Sequence, residues 1–187
     1  MNIFKKFFKS LYSFRTIGSF RFQGIGKTIL YVFFLMFIAS IPSSIIFTST
    51  FLDPDSRQQF INMQLENVNL PESDASSIME TIEGMLPILI PVGVIGLYLI
   101  SVALKFIGIF FLSLFGLMIR KTAPQLLSYR QIWMISAYTV TLPTIIIALI
   151  DLLPFVIPLS FTIYWIIAFF MLYQVFKHLP KPKERIT

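Results

Sequence analysis

Residues 86–119, LPILIPVGVIGLYLISVALKFIGIFFLSLFGLMI, make the longest apolar stretch of this 187-residue chain, and a single charge, Lys105, interrupts it. The number of times this stretch crosses a membrane decides the fold. As one helix its 34 residues would rise about 51 Å against a hydrocarbon core of about 30 Å. Two crossings need about 40 residues and a turn, and the 14 residues after Lys105 are too few for a second span. The flanking charges select between the readings. Arg120, Lys121 and Arg130 fall on the same side as the basic N-terminus only if the stretch crosses once, which is the side that the positive-inside rule assigns to the cytoplasm.

Three shorter apolar runs, residues 28–48, 132–153 and 159–176, complete the pattern. With four spans, 13 of the 15 basic residues share one side: Lys5, Lys6, Lys9, Arg15, Arg21 and Lys27 before the first span, the three just named, and Lys177, Lys181, Lys183 and Arg185 after the last. The loop 51–85 holds Asp53, Asp55, Glu66, Glu72, Asp74, Glu80 and Glu83 against a lone Arg57, and Asp151 joins it on the far side. With 56% hydrophobic composition, the chain is too apolar for a soluble domain. The expected fold is therefore an all-α polytopic bundle forming one integral membrane domain. It comprises a cytoplasmic amphipathic segment 1–27, span 1 at 28–48, an extracytoplasmic loop 51–85, a long span 2 at 86–119, span 3 at 132–153, span 4 at 159–176 and a cytoplasmic tail 177–187. The first span exceeds a signal-peptide core, and Ile38-Ala39-Ser40-Ile41-Pro42 offers no small-x-small cleavage site, so it reads as uncleaved. The outer loop, with Pro54 and Pro71, is expected to form short helices at most and to cap the bundle; about 35 residues without cross-links make no separate domain.

The first residues carry a helical pattern in which Phe4, Phe7, Phe8, Leu11 and Tyr12 recur at three-to-four spacing and Lys5, Lys6 and Lys9 take other positions. Two surfaces suit its aromatic face: the headgroup boundary, with each lysine worth about 1 kcal/mol against anionic lipid, or the protein's own cytoplasmic end. Anionic headgroups are the expected partner of the net charge of +6. Nucleic acid is not, because the basic residues flank apolar runs and line no aromatic-interleaved groove.

Few residues are candidates for chemistry. The chain has no cysteine, and its one histidine, His178, lies among basic residues with no companion for a metal site or a triad. Gly24-Ile25-Gly26-Lys27-Thr28 lacks the earlier glycine of a phosphate loop and runs into a membrane helix, so nucleotide binding is rejected. No catalytic residue, cofactor or metal is assigned, and no enzyme activity is expected. Lys105 is the principal candidate, since intramembrane charges tend to be functional. The favoured expectation is that a span at 86–104 ends there and Lys105 snorkels at the cytoplasmic interface. Asp151, where span 3 turns through Pro154 and Pro158 into span 4, is the second candidate, for a cation or proton. Pro87, Pro91 and Pro143, with Gly93, Gly96, Gly108 and Gly116, allow kinks and close helix packing.

Two segments carry a resemblance. They are Met1-Asn2-Ile3-Phe4 with Lys9-Ser10-Leu11-Tyr12-Ser13 and Arg21-Phe22-Gln23-Gly24-Ile25-Gly26-Lys27-Thr28-Ile29-Leu30-Tyr31, and Ser128-Tyr129-Arg130-Gln131 through Ser136-Ala137-Tyr138 to Leu142-Pro143-Thr144. Together they resemble a family of uncharacterised multi-pass membrane proteins of Bacillus-like Gram-positive bacteria, some labelled maltodextrin utilisation protein. The second segment also looks like the Yip-type superfamily, whose eukaryotic members work in membrane trafficking with partner proteins. The outer loop here is much shorter than the domain-sized insert of such relatives. The resemblance implies a bacterial plasma-membrane location. The expected function is that of a non-enzymatic accessory or organising protein acting through a membrane partner or as a homo-oligomer, near carbohydrate uptake or envelope maintenance. The alternative is a small oligomeric transporter or channel using Lys105 and Asp151.

The charge asymmetry makes a topological prediction. Single cysteines placed on this cysteine-free background as Ser73→Cys, Ser128→Cys and Thr187→Cys should react with an impermeant maleimide in intact cells only at position 73. Labelling at position 128 would rule out four spans with cytoplasmic termini.

Overall fold

The computed structural model describes residues 2–65, 72–153 and 159–180, and all regular structure among them is helical. Pro71, the turn expected at Pro154 and Pro158, and the basic tail residues Lys181, Lys183 and Arg185 lie outside the described residues. Four helical segments are long and apolar enough to cross a membrane: Ile25–Leu52, Thr81–Thr122, Tyr129–Ile150 and Ser160–Lys177. The all-α class and the four expected spans agree with this. The chain divides into two compact units, one of residues 1–39 with 101–187 and one of residues 40–100.

The first unit begins with α1 (Ile3–Tyr12) and α2 (Phe14–Ser19). Ser13 ends the first and caps the second, its hydroxyl accepting from the Thr16 N–H at 3.4 Å. The unit continues with a 3₁₀ turn at Phe20–Phe22 and the first half of α3 (Ile25–Leu52), then the second half of α5 (Glu72–Ile119), α6 (Tyr129–Thr139), α7 (Thr141–Ile150) and α8 (Ser160–Lys177). Its core is the apolar face of α6 packed on its neighbours, with Ile17, Tyr31, Leu35, Ile109, Leu112, Ile132, Ile135, Tyr138 and Leu172 all withdrawn from solvent. The rings of Phe20, Tyr138 and Tyr31 pack in series at tilted angles, 4.5 Å and 4.3 Å between centroids. Helices meet closely at Gly116, where an added Cβ would lie 2.6 Å from Ile132 Cγ2.

In the second unit α3 ends at Leu52, and Asp53 caps α4 (Pro54–Leu65): its Oδ2 accepts from the Ser56 N–H at 3.0 Å and hydroxyl at 2.5 Å. Proline at the first helical position suits this junction. Those two bonds hold the Asp53 carboxyl below its usual range, the hydroxyl contributing most. Arg57 is not the solitary charge that the composition of the loop suggests. It pairs with Glu83 at 2.6 Å and donates to the Phe51 carbonyl at 3.0 Å, which ties α4 to α5. Phe47, Phe51 and Phe60 form a ring cluster, and the Phe47 ring sits directly against Gly93.

Two sequence boundaries need correction. The outer segment is not limited to short helices, because α5 starts at Glu72 and runs unbroken for 48 residues to Ile119. Residues 72–83 contain neither proline nor glycine to stop it. Pro87 and Pro91 sit within a membrane helix, where proline is tolerated. The third span, expected at 132–153, corresponds to the helical segment Tyr129–Ile150. It starts earlier, at a capping box in which Ser128 and Gln131 bond reciprocally, and it is broken at Val140.

Gly116→Val should force Ile132, Leu172 and Phe176 apart and destabilise the protein by about 1–3 kcal/mol. Gly96→Ala, where a Cβ meets nothing within 4 Å, should be neutral. Thermal melting of both variants in the same detergent checks the contrast, and equal melting would show that helix contact at Gly116 is not tight.

Candidate functional site

The site is built from the break in the third span. Pro143 has no N–H to offer the Thr139 carbonyl, so regular helix stops at Val140 (φ −69°, ψ −6°) and resumes as α7. Three threonine hydroxyls bond back to carbonyls around the break: Thr139 to Ile135 at 2.9 Å, Thr141 to Tyr138 at 2.7 Å and Thr144 to Val140 at 2.6 Å. Each hydroxyl, its proton committed, keeps lone pairs for a neighbour. Thr141 takes the Tyr31 hydroxyl of α3 at 2.6 Å, and Thr144 takes the Lys105 Nζ of α5 at 3.0 Å.

Lys105 is thus held inside the bundle. Its Nζ also lies 3.3 Å from the Tyr164 hydroxyl of α8 and 4.5 Å from the centre of that ring, combining a long hydrogen bond with a cation–π contact. The sequence expectation is a lysine snorkelling at the cytoplasmic interface; its amine is instead engaged by α7 and α8. The paths from Lys105 to Ile119 on α5, from Thr144 back to Tyr129 through α7 and α6, and from Tyr164 to Lys177 on α8 all end at the basic end of the bundle. At the helical rise of about 1.5 Å per residue, each path is roughly 20 Å long, far beyond the reach of a lysine stem. Beside the amine is a cavity of about 350 Å³ lined by residues that include Met36, Ser101, Ile147, Phe161 and Trp165. Phe161 and Leu104 at its edge are largely exposed. No carboxylate lies within ion-pairing distance of Lys105 among the described residues.

The other expected residues are dispersed. Asp151 is exposed at the C-terminal end of α7 and does not line the Lys105 cavity, so the two candidate charges form no joint site. His178 is exposed and stacks on Phe14 at 5.7 Å. On α1, Lys5 and Lys9 are exposed as a headgroup-facing role requires, but Lys6 is 8% exposed and donates to Gln23 Oε1 at 2.5 Å. Lys6 is therefore removed from the expected lipid contact: it lies one helical turn from buried Ser10, on the face that packs against the protein. Burial, then repulsion from Lys27, lowers its pKa. Phe7 is buried with it, while Phe4, Phe8 and Tyr12 point outward. Sequence reasoning missed Tyr31, Tyr138, Thr141, Thr144, Tyr164 and Gln23. For all of these but Gln23, the available signal was a set of hydroxyl-bearing residues inside spans, which need partners in hydrocarbon.

The family model described as "Protein of unknown function (DUF1189)" matches residues 4–59 and 53–176, two stretches that overlap at the start of α4. The chain belongs to this family. No curated protein and no solved structure matches it. The family assignment covers every element that builds the Lys105 site and attaches no chemistry to it.

Tyr164→Phe and Lys105→Leu should be coupled. Removing the hydroxyl from a site that holds an ammonium should cost about 1–3 kcal/mol, and removing it after Lys105→Leu should cost much less. A double-mutant cycle on unfolding in detergent checks this, and strictly additive costs would mean that the contact between Lys105 and Tyr164 carries no energy.

Proposed function

We propose that this protein is a non-enzymatic accessory subunit of the plasma membrane, with both termini cytoplasmic, and that Lys105 is its attachment point for a partner membrane protein. One observation carries the reading: the ammonium group is solvated by two hydroxyls and a ring, with a cavity beside it and exposed Leu104 and Phe161 at the cavity edge. A charge at that depth is costly unless a counter-charge reaches it. A carboxylate on a partner's transmembrane helix would complete the site, and the apolar rim would pack on the same helix. The resemblance to proteins labelled for maltodextrin utilisation would put such a partner in carbohydrate uptake.

A second reading, a small oligomeric transporter for a carboxylate-bearing solute, is favoured by the cavity itself, whose 350 Å³ falls within the range of small-molecule sites. It rests on Lys105 alone, because Asp151 is not part of the cavity.

A photo-crosslinking amino acid at Phe161 in living cells separates the two. Under the accessory reading it should trap one membrane protein, and Lys105→Leu should cut the yield by about tenfold or more, the worth of a charge-assisted pair. Lys105→Arg should largely keep it. Adducts only with a second copy of this chain, or a partner adduct indifferent to Lys105→Leu, would overturn the accessory reading.

A further inference from the structure

At the basic end of the first unit the two segments that carry the family resemblance meet around a second cavity, of about 280 Å³, lined by Arg21, Phe22, Gln23, Ser128, Arg130 and Gln131. Among the described residues its wall offers donors and no carboxylate. Arg21 is 7% exposed, its guanidinium lies over the Phe22 ring at 4.5 Å, and its Nη1 has no hydrogen-bond partner. A buried guanidinium nitrogen left without an acceptor is unusual enough to call for one. Gln23 Oε1 accepts from both Lys6 Nζ at 2.5 Å and the Tyr138 hydroxyl at 3.2 Å. That fixes the amide so that its NH₂ is left to donate. Arg130 is exposed and stands in the first turn of α6, where the capping box takes the Gln131 N–H and the Tyr129 and Arg130 N–H groups have no acceptor within the helix. In the capping box the Ser128 hydroxyl accepts from the Gln131 N–H and Gln131 Oε1 accepts from the Ser128 N–H.

We propose that this cavity binds a phosphate group, with Arg21 and Arg130 as its two guanidinium ligands and the Gln23 amide and the N-terminus of α6 as supporting donors. Donors that come from the 3₁₀ turn on one side and from α6 on the other suit a tetrahedral anion, and guanidinium forks match phosphate oxygens in pairs. Gly24-Ile25-Gly26-Lys27-Thr28 takes no part, since none of its residues lines the cavity. Two sources share this chemistry: the phosphate of an anionic lipid headgroup and that of a soluble phosphate monoester. The site stands independently of Lys105 and its partner.

The test uses the purified full-length protein, stripped of lipid in detergent and offered phosphatidylglycerol, diacylglycerol as a phosphate-free control, glycerol 3-phosphate or inorganic phosphate. Native mass spectrometry reads lipid retention and thermal shift reads the soluble anions. The wild type should retain phosphatidylglycerol over diacylglycerol if the source is lipid, or be stabilised by glycerol 3-phosphate with no lipid preference if it is soluble. In either case Arg21→Gln and Arg130→Gln should each weaken binding by about tenfold or more, and Arg120→Gln, outside the cavity, should not. Should Arg21→Gln fail to fold, the exposed Arg130→Gln decides alone. Indifference to every phosphate-bearing probe, or binding unchanged in Arg130→Gln, would overturn the proposal.

Discussion

In hydrocarbon a polar group that loses its partner has to find another within the protein, and Pro143 withdraws a donor in the middle of a span. The first unit is organised around the result. The threonines that bond back to carbonyls at the Val140 break are also the acceptors that Tyr31 and Lys105 reach, so α3 and α5 are both fastened to the broken span at neighbouring positions. Apolar side chains fill the space around these bonds, but lipid is as apolar as leucine, and burial alone gives little reason for one helix arrangement over another. Directional bonds from Thr141 and Thr144 supply that reason.

The charges divide the labour differently. At the basic end, Lys6, Arg21 and Arg130 converge on Gln23 and the start of α6, whereas Arg57 finds Glu83 within the outer segment. Among the described residues the cations near Gln23 have hydroxyls, amides and rings for company but no carboxylate. Lys105 is in the same condition deeper in the bundle. Two cavities that hold cations with no anion among the described residues are suited to meeting anions carried by something else.

The legible part of this fold is whatever depends on long apolar runs and on the side to which the charges fall. Arg120, Lys121 and Arg130 resolve the stretch 86–119 as one crossing, and α5 is indeed one helix. Helix ends are less legible, because an apolar run marks what lies in lipid and not where the backbone stops being helical: α5 begins at Glu72, well before its apolar part opens at Leu86. Lys105 stands out in the sequence but its depth does not, since that follows from which hydroxyls on α7 and α8 it meets. Those contacts span 39 and 59 residues of sequence. Periodicity assigns Lys6 to lipid because it gives the spacing of a face and not the direction in which that face turns.

Leu159, which precedes α8, adopts a left-handed backbone (φ 68°, ψ 16°) that glycine would take at lower cost by about 1 kcal/mol. Its side chain is 72% exposed, so the protein gains almost no packing from it. At the end of a helix apolar enough to cross a membrane, acyl chains around that leucine would supply what offsets the strained backbone. The entry into α8 would then be an interaction between chain and bilayer, its conformational equilibrium responding to the thickness and fluidity of the surrounding lipid.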